Sequence, residues 1–198
     1  PLPERRRLLL GTALLPLTGL AGCAAFDYSD TDAPVALERV PVLDPRPDTE
    51  ILVEWALSLL PHGTSHRVLD LGTGSGVIGL SMAFELGAEA AHVWLTDASV
   101  DALDVARANM IGIGRAAANV RIAHGSWWNA LPQDLEGMID IAICNPPYIA
   151  HASSEVAPDV HMYEPHSALY AHDNGLADLR TVIEGASAWL KQSGWLVL

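Results

Sequence analysis

The chain has 198 residues, half of them hydrophobic, which is one domain's worth and enough for a sizeable core. That composition excludes a disordered or fibrous protein. The 24 Asp and Glu against 11 Lys and Arg give a formal charge of -13. They count against direct nucleic-acid binding, which needs a positive face for the phosphates. The acidic balance suits an enzyme acting on a basic protein partner. Two cysteines, Cys23 and Cys144, make neither a disulfide framework nor a four-ligand zinc site. The eight histidines show no metal-ligand spacing, so no metal is expected.

Residues 1–42 form an N-terminal segment distinct from the rest. Arg5, Arg6 and Arg7 precede the apolar stretch LLLGTALLPLTGLAG, and Cys23 follows. A charged start, an apolar stretch and small residues before a cut site are marks of a secretory signal. LAGC, ending at Cys23, also resembles a bacterial lipoprotein signal with a lipidated Cys. The stretch falls short of the ~20 residues of a membrane span. The other reading is a remnant helical region packed on the core, with Pro16 and Gly19 near its end. Residues 27–32 read as a loop and residues 35–42 as a strand or hairpin.

From Thr49 the pattern is a regular α/β alternation. Residues 49–60 put Leu52, Val53, Ala56, Leu57 and Leu60 on one helical face, stopped by Pro61 to Gly63. Residues 67–71 read as a short apolar strand, and residues 76–86 as an apolar helix closed by Gly87. A second strand is expected over 92–96. Ser99 is a suitable N-cap for the next helix, with Asp101 and Asp104 in its first turns, and that helix ends near Met110. Residues 120–123 and 139–144 read as third and fourth strands, the latter apolar on both faces as in a central parallel strand. Cys144 ends that run and is expected to be buried and inert. A last helix over 176–190 carries Leu176, Leu179, Val182, Ile183, Ala186 and Leu190. Residues 195–198 begin a fifth strand. Such alternation predicts a doubly wound, mostly parallel sheet spanning residues 43–198, with ligands bound beyond the carboxyl ends of the strands.

VLDLGTGSG, residues 68–76, joins the first strand to its helix. Gly72, Gly74 and Gly76 permit a tight turn and close approach of a ligand. Dinucleotide loops space their glycines G-x-G-x-x-G, to seat a pyrophosphate on the helix N-terminus. Here the spacing is G-x-G-x-G with Asp70 just before it, through Thr73 and Ser75. That form resembles the first motif of class I methyltransferases, whose ligand carries an amino acid rather than a phosphate. Asp97 follows the second strand, where an acid can accept hydrogen bonds from both ribose hydroxyls. Ser126 and Trp127 follow the third strand, where an adenine would lie. Trp127 is either a stacking partner for the base or core packing. Trp128 is the expected core member.

NPPY follows the fourth strand at once, as Asn145, Pro146, Pro147 and Tyr148. Two prolines stiffen the turn and remove backbone donors. The Pro146 carbonyl and the Asn145 side-chain oxygen remain as acceptors. Aimed at one NH2 group, they can hold an amide nitrogen and favour charge developing on it. Tyr148 can stack on the planar amide, and alignment is then the main demand. Exocyclic amines of nucleic-acid bases can be held by similar loops, so NPPY alone leaves the substrate open.

The segment DPRPDTEILVE, residues 44–54, resembles the PRPxTE signature of the HemK/PrmC family of release-factor glutamine N5-methyltransferases. The match continues through DLGTGSG, Asp97, GSWWNAL over 125–131, NPPYI, Glu164-Pro165 with Ala168-Leu169, and NGLADLR over 174–180. It covers about three-quarters of the chain in the family's order. The resemblance implies a class I, Rossmann-like fold and S-adenosyl-L-methionine as cofactor. The cofactor would be held by Asp70, Gly72, Thr73, Gly74, Ser75, Gly76, Asp97, Ser126, Trp127 and Asn145. The NPPY loop would hold the glutamine of the GGQ loop of a peptide-chain release factor in the cytoplasm. Arg46, Thr49 and Glu50 would border the site. Ser126 stands where many members carry Asp. The family's helical N-terminal docking domain is short or missing, and the sequence stops inside the fifth strand, which predicts a catalytic domain incomplete at its C-terminal end. The alternatives are an amino-methyltransferase acting on a nucleic-acid base, which the charge and the lack of a target-recognition domain disfavour, and an inactive remnant or exported protein lipid-anchored at Cys23.

Overall fold

A computed structural model describes residues 47–150 and 170–198 of the chain. Cys23, the strand or hairpin expected over 35–42, Arg46, and the family-like residues Glu164, Pro165, Ala168 and Leu169 lie outside them.

Helix α1, Pro47–Leu59, buries Val53 and Ala56, with Leu60 just beyond, and packs Leu52 and Leu57 against them. This is the apolar face the sequence predicts. Strand β1, His66–Leu71, runs into the glycine loop and then α2, Val77–Leu86. Gly76 caps α2 in a left-handed conformation, φ 84°, and the N–H of Gly87 closes it by donating to the Ala83 carbonyl at 3.1 Å. Strand β2, Ala91–Asp97, leads to α3, Val100–Gly112. The Ser99 hydroxyl caps α3 by accepting from the Ala102 N–H at 3.2 Å, as its side chain and position require. Strand β3, Val120–His124, is followed by short 3-10 turns at Trp127–Ala130 and Gln133–Leu135. Strand β4 is Ile139–Cys144. Two two-residue strands, β5, Ile149–Ala150, and β6, Tyr170–Ala171, pair in parallel. Helix α4, Ala177–Trp189, passes straight into β7, Leu190–Val197.

The main sheet has five parallel strands in the order β3-β2-β1-β4-β7. This is the parallel, Rossmann-like arrangement expected from the strand and helix alternation. Helices α1, α2 and α3 cover one face around Val68, Val93, Leu95, Ile141 and Ile143. Helix α4 and the turns after β3 cover the other around Leu69, Leu71, Ala142 and Cys144. Strand β4 is buried along both faces, as a central parallel strand must be. Chain order reverses between β1 and β4, so their carboxyl ends flank the switch point where such sheets bind ligands.

Two details depart from expectation. The fifth strand begins at Leu190 rather than Trp195. The ladder opens with Leu190 opposite Ile139, then slips at a bulge before Trp195 meets Ile141. The polar stretch Lys191 to Gly194 carries no strand signal of its own, and the Lys191–Asp140 ion pair, 2.6 Å, ties it to β4. On α4 the buried residues are Val182, Ala186 and Trp189, while Leu176 and Ile183 are 51% and 54% exposed.

Candidate active site

The carboxyl end of β1 delivers Asp70 to a fully buried position. Its Oδ2 accepts from the Thr73 hydroxyl at 2.6 Å and from the Gly79 N–H at 2.8 Å. Its Oδ1 has no partner. Burial pushes the Asp70 carboxyl up to about 6. The Thr73 and Gly79 hydrogen bonds oppose the rise, and the negative charge of Asp97 adds to it. Gly79 is required by close approach. A Cβ there would run into the Leu95 side chain and lie 3.1 Å from the Asp70 side chain.

The loop from Gly72 to Gly76 is pinned at several points. The Thr73 N–H donates to the Thr96 carbonyl at 2.9 Å, and the Gly76 N–H to the Thr73 carbonyl at 2.9 Å. The Asn109 amide, from α3, donates to the Ser75 carbonyl at 2.9 Å. Asp97, at the end of β2, accepts from the Gly74 N–H with Oδ2 at 2.9 Å and from the Ser99 N–H with Oδ1 at 2.8 Å. One carboxylate thus fixes both the glycine loop and the start of α3. Each oxygen keeps a lone pair for a further donor.

Trp127 closes the other side of the loop. Gly72 has φ 67°, and a Cβ on it would lie 3.2 Å from the Trp127 ring. No other residue could sit there without moving the indole. Trp127 itself holds φ 47°, a left-handed conformation that costs a bulky residue ~1–3 kcal/mol and persists only when its surroundings impose it. Its Nε1–H donates to Asp178 Oδ1 at 3.2 Å, from the first turn of α4. Ser126, just before it, is exposed. Trp128 is the core member, as expected. It is buried, donates to the Val182 carbonyl at 3.0 Å, and stacks on Trp189 with ring centroids 6.2 Å apart.

Register places the second loop. Leu71 of β1 pairs with Cys144 of β4, so Asn145 leaves the sheet beside Gly72. Asn145 and Pro147 are half-buried, Pro146 is buried, and Tyr148 is 60% exposed. Cys144 beneath them is buried, and burial pushes its thiol well up. The charges of Asp70, Asp178 and Asp97 push it further, since all three acids converge on this end of the sheet. Such a site favours a cationic ligand. In the first turn of α1, Thr49 is buried and Glu50 half-buried, and that helix packs on α2, β4 and β7.

The structure therefore brings Asp70, Gly72 to Gly76, Asp97, Trp127 and Asn145 to one end of the sheet. Sequence reasoning missed Gly79, Asn109 and Asp178. Their bonds reach partners 9, 34 and 51 residues away, with no local pattern to betray them.

Residues 48–164, more than half of the chain, match the family described as methyltransferase small domain. A release factor glutamine methyltransferase of Burkholderia pseudomallei is 42% identical over 160 residues, covering 79% of this chain and 55% of that protein. The protein of the same name from Bordetella pertussis is 44% identical over 153 residues, covering 77% and 54%. The chain thus spans about half the length of the curated relatives it matches. Among solved structures, the hMettl16 catalytic domain in complex with a MAT2A 3'UTR hairpin is similar with TM-score 0.57 and 17% identity, covering 74% of this chain and 53% of that one. A ribosomal protein methylase from Lactobacillus delbrueckii subsp. bulgaricus is similar with TM-score 0.51 and 20% identity, covering 78% and 62%. These two likenesses speak to the fold. With the glycine loop and the NPPY loop side by side at the switch point of a five-stranded parallel sheet, the chain belongs to the methyltransferase small domain family and is similar to the release factor glutamine methyltransferases.

Proposed function

We propose that this chain transfers a methyl group from S-adenosylmethionine to the side-chain amide nitrogen of a protein glutamine, that of the GGQ loop of a bacterial peptide-chain release factor. The observation that carries the reading is the β1–β4 register, which sets Asn145 beside Gly72. A loop suited to an amide and a loop suited to an amino-acid-bearing cofactor then meet at one point. The names of the relatives, at 42% and 44% identity, support the substrate.

The residues present fit the cofactor. Its ammonium and sulfonium charges suit an end of the sheet where Asp70 and Asp97 converge. Gly72 is exposed and Gly74 half-buried, so the backbone of the glycine loop is open to it. In this reading Asp70, Gly72, Thr73, Gly74, Ser75, Gly76 and Asn145 hold the amino-acid end. Asp97 accepts from the ribose hydroxyls. Ser126 and Trp127 border the adenine. S-adenosylmethionine supplies an already activated methyl group when bound, so no general base is required of the protein. Asn145 and the Pro146 carbonyl accept hydrogen bonds from the glutamine NH2 and hold its nitrogen in line. Pro147 stiffens the turn, and Tyr148, standing exposed, covers the amide plane. Arg46, Thr49 and Glu50 border the acceptor side. The catalytic unit starts at residue 43, and the reaction is cytoplasmic. Among the described residues no helix is long and apolar enough to cross a membrane.

The test is methyl transfer from labelled S-adenosylmethionine to a purified release factor, beside a variant with its GGQ glutamine replaced. Label on the first and not on the second is expected. Label on both, or on neither while the cofactor binds, would reject the proposed acceptor.

A further inference from the structure

We propose that Asp178 is a positioning residue for the cofactor site, setting the orientation of the Trp127 indole over the glycine loop. The inference rests on the reading of that loop as an S-adenosylmethionine site. Three observations meet here. Trp127 holds a left-handed backbone, φ 47°, so its side chain leaves the turn in a direction that the local chain does not favour. Its ring lies so close to Gly72 that a single added carbon there would stand 3.2 Å from it. The indole N–H, its only polar atom, donates to Asp178 Oδ1 at 3.2 Å.

The Trp127 ring is half-buried against the core beneath it, and the polar hold on it is not local. The hold comes from α4, 51 residues on. Asp178 sits in the first turn of that helix, where the unpaired backbone N–H groups favour an acidic side chain. Helix α4 is itself fixed from below. Trp128, the next residue after Trp127, donates to the Val182 carbonyl on the following turn of α4. Adjacent indoles thus clasp one helix at two levels. The lower one is core, and the upper one faces the candidate cofactor loop. The role of Asp178 is therefore geometric, and its charge is secondary. An amide oxygen at the same place serves the indole equally well.

The test uses the full chain, with Asp178→Ala and Asp178→Asn made alone and in a Trp127→Phe background. Asp178 is only half-buried, so either substitution is compatible with the fold. The chain has six Trp, and the Trp127 indole N–H resonance is the one that Trp127→Phe removes. Without ligand, that resonance should move in Asp178→Ala and stay near its place in Asp178→Asn. Titration with S-adenosylhomocysteine should then show affinity falling about tenfold in Asp178→Ala, as for loss of one hydrogen bond. Asp178→Asn should restore it, and Asp178→Ala should cost nothing further once Trp127 is Phe. An unmoved resonance, equal losses in both backgrounds, or an Asn variant as poor as Ala would overturn the inference. A moved and rescued resonance in a chain that binds no S-adenosylhomocysteine would uphold the positioning and reject the cofactor reading instead.

Discussion

Asp70 offers the sharpest physical test of the site. Its carboxyl stands at about 6 in the folded chain against an ordinary 3.8, chiefly because burial penalises the charged form. A carboxyl raised on folding destabilises the protein wherever it is ionised. Below pH 3.8 it is protonated in both states and costs nothing. Above about pH 6 it is charged in both states and the full cost applies. Stability therefore falls as pH rises through that window and levels off above it. The displacement from 3.8 to about 6 corresponds to ~3 kcal/mol, at about 1.4 kcal/mol for each tenfold step. Asp70→Asn removes the titration while its amide oxygen still accepts from Thr73 and Gly79. The amide NH2 replaces an oxygen that has no partner to lose. Urea unfolding of both proteins from about pH 4 to about pH 7 isolates the term, since every other titrating group is shared. The stability of the wild type relative to Asp70→Asn should drop by ~2.4 kcal/mol across that range, most of the remainder being lost below about pH 4. Parallel curves would refute the argument that the carboxyl is buried and ionised at neutral pH.

Three further outcomes are expected. Asn145→Ala should abolish methyl transfer while S-adenosylhomocysteine binding largely survives in calorimetry. Full activity in that variant would sink the amide-acceptor role. Asp97→Ala should weaken that binding by tenfold or more, about 1.4 kcal/mol. It loses the proposed ribose acceptor and also leaves the Gly74 N–H, which now donates to Asp97, without that partner, and an unchanged dissociation constant would contradict both. Gly79→Ala should cost ~1–3 kcal/mol of stability in urea denaturation, because its Cβ meets Leu95 in a packed interior. A midpoint equal to wild type would mean that this contact relaxes freely.

Much of this was legible in the sequence, because the informative signals were local. Strand β4 was readable from a run that is apolar apart from Asp140, α3 from Ser99 and the acids behind it, and the glycine loop from its spacing alone. The roles that escaped depend on contacts between distant segments. Nothing near Asp178 announces that an indole 51 residues earlier will seek it. Nothing in KQSG announces a strand, because that stretch is ordered by its partner across the ladder, through Leu190 opposite Ile139 and Lys191 on Asp140. Trp127 illustrates the boundary. Its position after β3 was visible, but its left-handed backbone, its ring against Gly72 and its packing on the core beneath are revealed only by the folded chain.

The strand order has a consequence for how the chain is made. β1 takes β2 as its first neighbour and then waits for β4, with Arg67 and its partner Asp140 73 residues apart. Until the ribosome has delivered that stretch, one flank of this buried strand carries open backbone donors and acceptors, an invitation to pair with another chain. The nascent first half is thus at its most vulnerable just before β4, the strand that leads into Asn145, arrives. The segment that completes the candidate site is also the one that shields the newly made protein from aggregation.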